Sequence, residues 1–273
     1  MSSPGISRIS IVVPVHNEAE SIPVLLREID AAMTALPGVG HEVIFVDDAS
    51  TDGSLALIKE LAERHPGHVG FVALRRNFGQ TAAMAAGFDA CTGEVVIPMD
   101  GDLQNDPADI PKLLAKMAEG YDLVSGWRAR RQDAFFSRVL PSRIANGVIS
   151  WTTGVHLHDY GCTLKAYHRD VVEHIAFYGE MHRLLPALAR WAGASIAEVE
   201  VNHRPRVHGR SKYGIGRTFS VLLDLVTVKF LMDYATKPMR VFGGTGLMLF
   251  GLGGLSGLVT ALQKLTPPYQ DVT

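Results

Sequence analysis

Three observations predict an α/β fold on a mostly parallel sheet, followed by a helix that crosses a membrane. Five short apolar runs recur through the first half of the 273-residue chain, at intervals of about 25 to 33 residues. Helix-like segments fill those intervals, and a long uncharged stretch lies near the C-terminus. Strands alternating with helices specify βαβ units and a sheet covered on both faces.

The elements follow in order. Ile9 to Val13 is the first apolar run and is of strand length. The residues before it, Met1 to Gly5, supply neither a basic nor an apolar leader region, so no cleaved signal peptide is expected. Glu42 to Val46, Val69 to Leu74, Glu94 to Met99 and Asp122 to Ser125 read as the next strands, and Ser21 to Met33, Ser54 to Arg64, Thr81 to Ala90 and Pro107 to Glu119 as the helices between them. Val241 to Gln263 contains no charged side chain over 23 residues and as a helix would reach about 35 Å, enough for a hydrocarbon core of about 30 Å. Its seven glycines would weaken a helix in water but are common in membrane helices, which favours a span over the alternative of a buried core helix.

In an open parallel sheet the ligand site lies beyond the carboxyl ends of the strands. All five predicted ends are polar: His16-Asn17-Glu18, Asp47-Asp48, Arg75-Arg76-Asn77, Asp100-Gly101-Asp102 and Arg128 to Arg131. Carboxylates and guanidinium groups on one edge suit a polyanion held with a divalent cation. The Asp-x-Asp pair leaves a buried strand, where two like charges are costly without a cation and hard oxygen ligands favour Mg2+ or Mn2+. The chain has no Gly-x-Gly-x-x-Gly after the first strand, no Gly-x4-Gly-Lys-Ser/Thr and no His-Glu-x-x-His, which removes dinucleotide, P-loop and zincin readings. His156, His158, His168 and His174 read as exposed or capping residues. A formal net charge of -2 names no nucleic-acid partner. Cys91 and Cys162 form no Cys-x-x-Cys, so no thiolate zinc site or disulfide framework is indicated and a reducing, cytosolic setting fits.

The segments Val13-Pro14-Val15-His16-Asn17-Glu18, Val46 to Gly53, Arg76-Asn77-Phe78-Gly79, Asp100 to Gln104, Ser125-Gly126-Trp127-Arg128 and Arg206 to Tyr213 together resemble glycosyltransferase family 2, and within it the polyprenyl-phosphate glycosyltransferases typified by dolichol-phosphate mannose synthase. The resemblance covers almost the whole chain and implies a GT-A fold. It implies that Pro14, His16, Glu18, Val46 and Asp48 contact the nucleoside of a nucleotide-sugar. Asp100, Gly101, Asp102 and Gln104 would surround the metal and diphosphate, with Asp102 the most direct metal ligand. Arg128, Arg206 and Lys212 match the basic positions around the donor diphosphate and the acceptor phosphate, the last two on a loop able to close over substrate. Asp159 to Lys165 and Gly179 to Arg183 resemble segments near the acceptor end; a helix cap and a surface histidine are the alternative for Glu180 and His182.

Phe135 to Thr153 and Arg217 to Tyr234 read as amphipathic, interfacial helices, with an ordinary core helix the alternative. The expected organisation is a catalytic domain over 1–213, a juxtamembrane segment over 214–238, a transmembrane helix over 239–264 and a short tail over 265–273. The expected activity is inverting transfer from a UDP- or GDP-sugar to undecaprenyl or dolichyl phosphate at the cytosolic membrane face, with Mg2+ or Mn2+. A processive polysaccharide synthase is the first rival, but Arg190-Trp191 lacks the Gln of Gln-x-x-Arg-Trp, position 187 being Ala. A membrane-anchored nucleotide-sugar-binding protein without chemistry is the second. Lys229, Lys237 and Arg240 precede the span and Lys264 follows it, a positive-inside bias for a cytosolic domain, and Gly253 with Gly257 predicts homo-oligomers through the membrane. Many proteins resembling this chain carry two or more C-terminal membrane helices, so single-pass and truncated multi-pass forms are both open.

Overall fold

The computed structural model describes residues 5–129, 140–173, 181–205, 225–230, 234 and 237–265. Two compact units divide the chain, Met1–Val226 and Thr227–Thr273.

Seven strands among the described residues form one sheet: β1 (Arg8–Val15), β2 (Gly40–Asp47), β3 (Val69–Ala73), β4 (Val95–Pro98), β5 (Leu123–Trp127), β6 (Lys165–His168) and β7 (Ile196–Glu200). Their order is β3-β2-β1-β4-β6-β5-β7. β1 pairs in parallel with β2 and β4, β2 with β3, and β5 with β7. β6 runs antiparallel between β4 and β5. The five predicted strands are all present, and the sheet is mixed because β6 joins it from outside the βαβ series.

Side-chain alternation along the strands sorts the core into two layers. Ile9, Ile11 and Val13 of β1 and Val43 and Phe45 of β2 pack with Ile22, Leu25 and Ile29 of α1 (Ile22–Met33), Ile58 of α2 (Ser54–Arg64), and Leu113 and Met117 of α4 (Ile110–Met117). Val12, Ile44 and Val46 face the other way, against Ala83, Met84 and Phe88 of α3 (Gln80–Ala90) and Leu185 of α7 (Leu185–Trp191). α3 lies so close to the sheet that a Cβ on Gly87 would stand 2.3 Å from Val12 Cγ1. Small residues on this helix are therefore a packing requirement.

α5 (Leu140–Thr153) occupies the described part of the Phe135 to Thr153 segment. Its polar residues Asn146 and Ser150 are buried, with Asn146 Nδ2 donating to His158 O at 2.7 Å, whereas Trp151 is 85% exposed and Val148 40%. α6 (Arg169–Glu173) follows β6 directly. In the second unit, α8 (Met239–Leu265) includes an apolar stretch, Phe242–Leu265, of mean hydropathy 1.6 with none of its most apolar window buried. It is long and apolar enough to cross a membrane.

Candidate active site

The carboxyl ends of β1, β2, β4 and β5 meet at one edge, and the loops leaving them are fastened to one another. Asn17 Oδ1 accepts from the Thr51 and Asp52 amides at 2.7 and 3.3 Å, Ser54 Oγ accepts from Glu18 N at 3.0 Å, and Asp52 Oδ2 from Ala19 N at 3.3 Å. Among the described residues three non-glycine residues adopt positive φ, Asn17, Ala49 and Leu103, each just beyond one of these strands. Backbone held in that sparsely populated region gathers where surrounding bonds over-determine it, as they do here.

Asp48 is buried and rigid, accepting from Phe78 N at 2.7 Å and Gly79 N at 2.9 Å, which ties the end of β2 to the start of α3. His16 Nδ1 lies 2.9 Å from the Asp48 carbonyl and 3.2 Å from Asn77 Nδ2. Pro14, His16, Glu18 and Asp48 thus stand together on the neighbouring strands β1 and β2 and the loops that leave them. Val46 pairs with Pro14 across the sheet, and its side chain is fully buried in the α3 layer, where a Cβ on Gly87 would come within 2.9 Å of it.

The Asp-x-Asp turn lies against β1. A Cβ on Gly101 would approach the Pro14 carbonyl at 3.2 Å, so any larger residue would press the turn a few tenths of an ångström away from the strand. Asp102 is nearly buried and its Oδ1 accepts from Gln104 N at 3.1 Å. Asp100 accepts from Gln80 Nε2 at 2.7 Å and Thr163 Oγ1 at 2.8 Å, while its amide donates to Asn105 Oδ1 at 2.9 Å. Burial first, and the neighbouring Asp102 carboxylate second, push the Asp100 carboxyl up to about 6. A carboxyl disfavoured as an anion by a second carboxylate is one that a cation would stabilise.

Arg128 leaves β5 toward the same edge and grips Asp159 with two bonds, Nε to Oδ2 at 2.7 Å and Nη2 to Oδ1 at 3.0 Å. Beneath that pair, Lys165 is buried, donating to the Tyr160 and Cys162 carbonyls, and burial lowers its pKa from the ordinary lysine value. Arg128 and Lys165 both act on the Asp100 carboxyl. Asp100 and Asp159 therefore share two cationic side chains, with Asp102 beside Asp100, and a divalent cation would leave the group of three carboxylates net positive, as a diphosphate requires. The donor set fits a hard metal ion.

The chain entering Arg206 is fixed beside this loop. Arg204 N donates to Gln104 O at 3.0 Å, Asn105 and His203 form a β-bridge, and Arg204 reaches Glu28 and Asp106, each at 2.6 Å. Arg206 and Lys212 lie outside the described residues, as do Glu180 and most of the Arg217 to Tyr234 segment. His182 is no surface histidine: it is buried, with Nδ1 2.7 Å from Thr81 Oγ1. Among the histidines read as exposed, His158 stacks on Trp127 at 4.3 Å and pairs with Glu198 at 2.8 Å. Sequence reading did not single out Gln80, Asn105, Thr163 as an Asp100 partner, or Asp159 as the partner of Arg128, because none carries a local spacing signal.

The description "Glycosyl transferase family 2" matches residues 10–176. The chain is 46% identical to the dodecaprenyl-phosphate galacturonate synthase of Rhizobium johnstonii, over 92% of this chain and 74% of that protein. It is 42% identical to the undecaprenyl-phosphate 4-deoxy-4-formamido-L-arabinose transferase of Pseudomonas aeruginosa, over 90% and 71% respectively. Among solved structures, mannosyl-3-phosphoglycerate synthase from Rubrobacter xylanophilus shares the fold with a TM-score of 0.62 at 15% identity, over 84% of this chain and 75% of that one. Glucosyl-3-phosphoglycerate synthase from Mycobacterium tuberculosis, in complex with Mn2+, UDP and glucosyl-3-phosphoglycerate, does so with 0.61 at 20% identity, over 82% and 80%.

Proposed function

The chain belongs to glycosyltransferase family 2, and on that premise we propose that it transfers one sugar from a nucleotide-sugar to a polyprenyl phosphate, with inversion, at the cytosolic face of a membrane. The observation that carries this reading is the Asp100 and Asp102 pair beside Arg128, in a chain whose relatives named for polyprenyl-phosphate substrates align with nine-tenths of it.

The acceptor needs little activation. A phosphate monoester with a second pKa near about 6 is largely ionised at neutral pH, so no strong general base is required. Its oxygen attacks the anomeric carbon as the bond from that carbon to the diphosphate breaks, and the electron pair leaves with the nucleoside diphosphate. Pro14, His16, Glu18 and Asp48 hold the nucleoside on a rigid platform. Gly101 lets the Asp-x-Asp turn lie close, and Arg128, Arg206 and Lys212 bind phosphate charge. Mg2+ or Mn2+, held by Asp102 and Asp100 with Gln104 alongside, would supply charge neutralisation of the leaving diphosphate. Arg204, bonded through its amide to Gln104, supports a role for Arg206 at this site, since two residues span at most about 7 Å.

Membrane attachment through α8 is supported by its length and exposure, and the outward Trp151 and Val148 of α5 support a second, interfacial contact. Three basic residues before the span and one after favour a cytosolic catalytic unit. Gly253 and Gly257 leave open space beside α8 for a second copy of the helix. The test is mass spectrometry of lipid products after incubating the full chain with a panel of UDP- and GDP-sugars and either undecaprenyl or dolichyl phosphate. One donor should yield a glycosyl phosphate lipid; no lipid product from any pair would refute the proposal.

A further inference from the structure

A histidine and carboxylate cluster lies at the opposite edge of the sheet. His41 is the second residue of β2 and shares the face of Val43 and Phe45, so alternation turns it toward α1. Asp30 of α1 meets it there: His41 Nε2 is 3.1 Å from Asp30 Oδ1. His68, immediately before β3, brings its Nε2 to 2.9 Å from the same oxygen. The two imidazoles stand edge to face with centroids 4.6 Å apart, and the three ligand atoms all lie within 4.8 Å of one another. All three residues are partly exposed, so an ion can enter from solvent.

We propose that Asp30, His41 and His68 form a second metal site, for a zinc-class divalent ion, that clamps α1 to the first residues of β2 and β3. Two neutral imidazoles hydrogen-bonded to a carboxylate would account for each contact singly. Both Nε2 atoms stand beside one carboxylate oxygen, which brings two imidazole nitrogens and an oxygen within reach of a single ion. Bonds of about 2.0–2.1 Å in a tetrahedral site set ligand atoms about 3.3 Å apart, a few tenths of an ångström beyond the two nitrogen-to-oxygen separations of 3.1 and 2.9 Å. Two nitrogens and one oxygen form a softer set than the Asp100 and Asp102 carboxylates, so the sites discriminate between zinc and magnesium. Six residues of β2 place this cluster about 20 Å from Asp47, so the ion acts on stability rather than on chemistry.

Zinc competition against a chromophoric chelator tests the site, using the full chain in detergent with Asp102→Asn to silence the other carboxylate pair. One zinc per chain is expected. His41→Ala with His68→Ala should weaken uptake by at least about 100-fold, and Asp30→Asn, which keeps the side-chain shape, by about 10-fold. Zinc should raise Tm in the histidine-containing chain and leave the double variant unmoved. Absence of saturable uptake, or uptake indifferent to Asp30→Asn and to the double histidine change, would overturn the proposal.

Discussion

Asp159→Asn separates the role of Arg128 from that of the fold around it. The parent pair is bidentate, with the Arg128 side chain 13% and that of Asp159 3% exposed, so solvent screens it little. Each charge-assisted bond is worth about 1.5–3 kcal/mol, and breaking a buried pair costs about 3–5 kcal/mol. Asn keeps an oxygen for the Gly161 amide, which bonds Asp159 Oδ1 at 3.1 Å, and the guanidinium can turn toward Asp100, so the low end applies, about 3 kcal/mol. For a domain of this size that lowers Tm by about 6–12 °C. A guanidinium turned onto Asp100 competes with the metal. One unit charge 4 Å away is worth about 4 kcal/mol at an effective dielectric near 20, so retaining even a third of it raises the Mn2+ activation constant about 10-fold. Calorimetry and an Mn2+ titration of nucleoside diphosphate release measure both effects. Arg128→Ala with Asp159→Ala should return the activation constant toward the parental one while turnover stays low. An Asp159→Asn enzyme with parental Tm and metal dependence would show that the pair neither stabilises the site nor keeps Asp100 open.

Asp102→Asn should abolish transfer, and chelation should do the same to the parent; full activity in EDTA would contradict the metal assignment. Arg206→Ala and Lys212→Ala should each cut kcat/KM by about 10- to 150-fold without changing donor preference, as loss of a charged bond to phosphate of about 1.5–3 kcal/mol implies, and steady-state kinetics across the donor panel checks both. Burial opposes ionisation of Glu42, but hydrogen bonds from Ser10 and Thr92 and the Arg8 charge outweigh it and hold the carboxyl below its ordinary 4.5. A folded pKa below the unfolded one contributes stability above 4.5 that is lost as pH falls through the folded value. Glu42→Gln should therefore lower Tm at pH 7 and converge with the parent in acid; a gap constant with pH would refute the linkage. Gly126→Ala would drive a Cβ to 2.7 Å from the Leu164 carbonyl and 3.1 Å from Cys162 Sγ, and should cost about 1–3 kcal/mol or more by denaturant titration.

The βαβ ladder was legible because its strands are short apolar runs at regular intervals with helix-length segments between them; α2 has the predicted bounds, Ser54–Arg64. β6 escaped because it has four residues, begins with the buried Lys165 and joins antiparallel, and β7 because two glutamates interrupt a half-exposed edge. The Asp-x-Asp pair announced itself as paired charge after a buried strand. Its supports did not, since Gln80 and Thr163 reach Asp100 from 20 and 63 residues away. Val46 was placed at the site by resemblance; it pairs with Pro14 across the sheet, while the alternation of β2 turns its side chain into the core. The same long-range geometry joins Asp30, His41 and His68, whose spacing matches no metal motif.

Release of nucleoside diphosphate from the preferred sugar donor, measured with the purified full chain with and without undecaprenyl phosphate, tests the central claim most directly. The account predicts release that depends on the lipid phosphate, yields one glycosyl phosphate lipid per nucleoside diphosphate, and disappears in Asp102→Asn. Release at the same rate without the lipid, or in the Asp102→Asn chain, would contradict it.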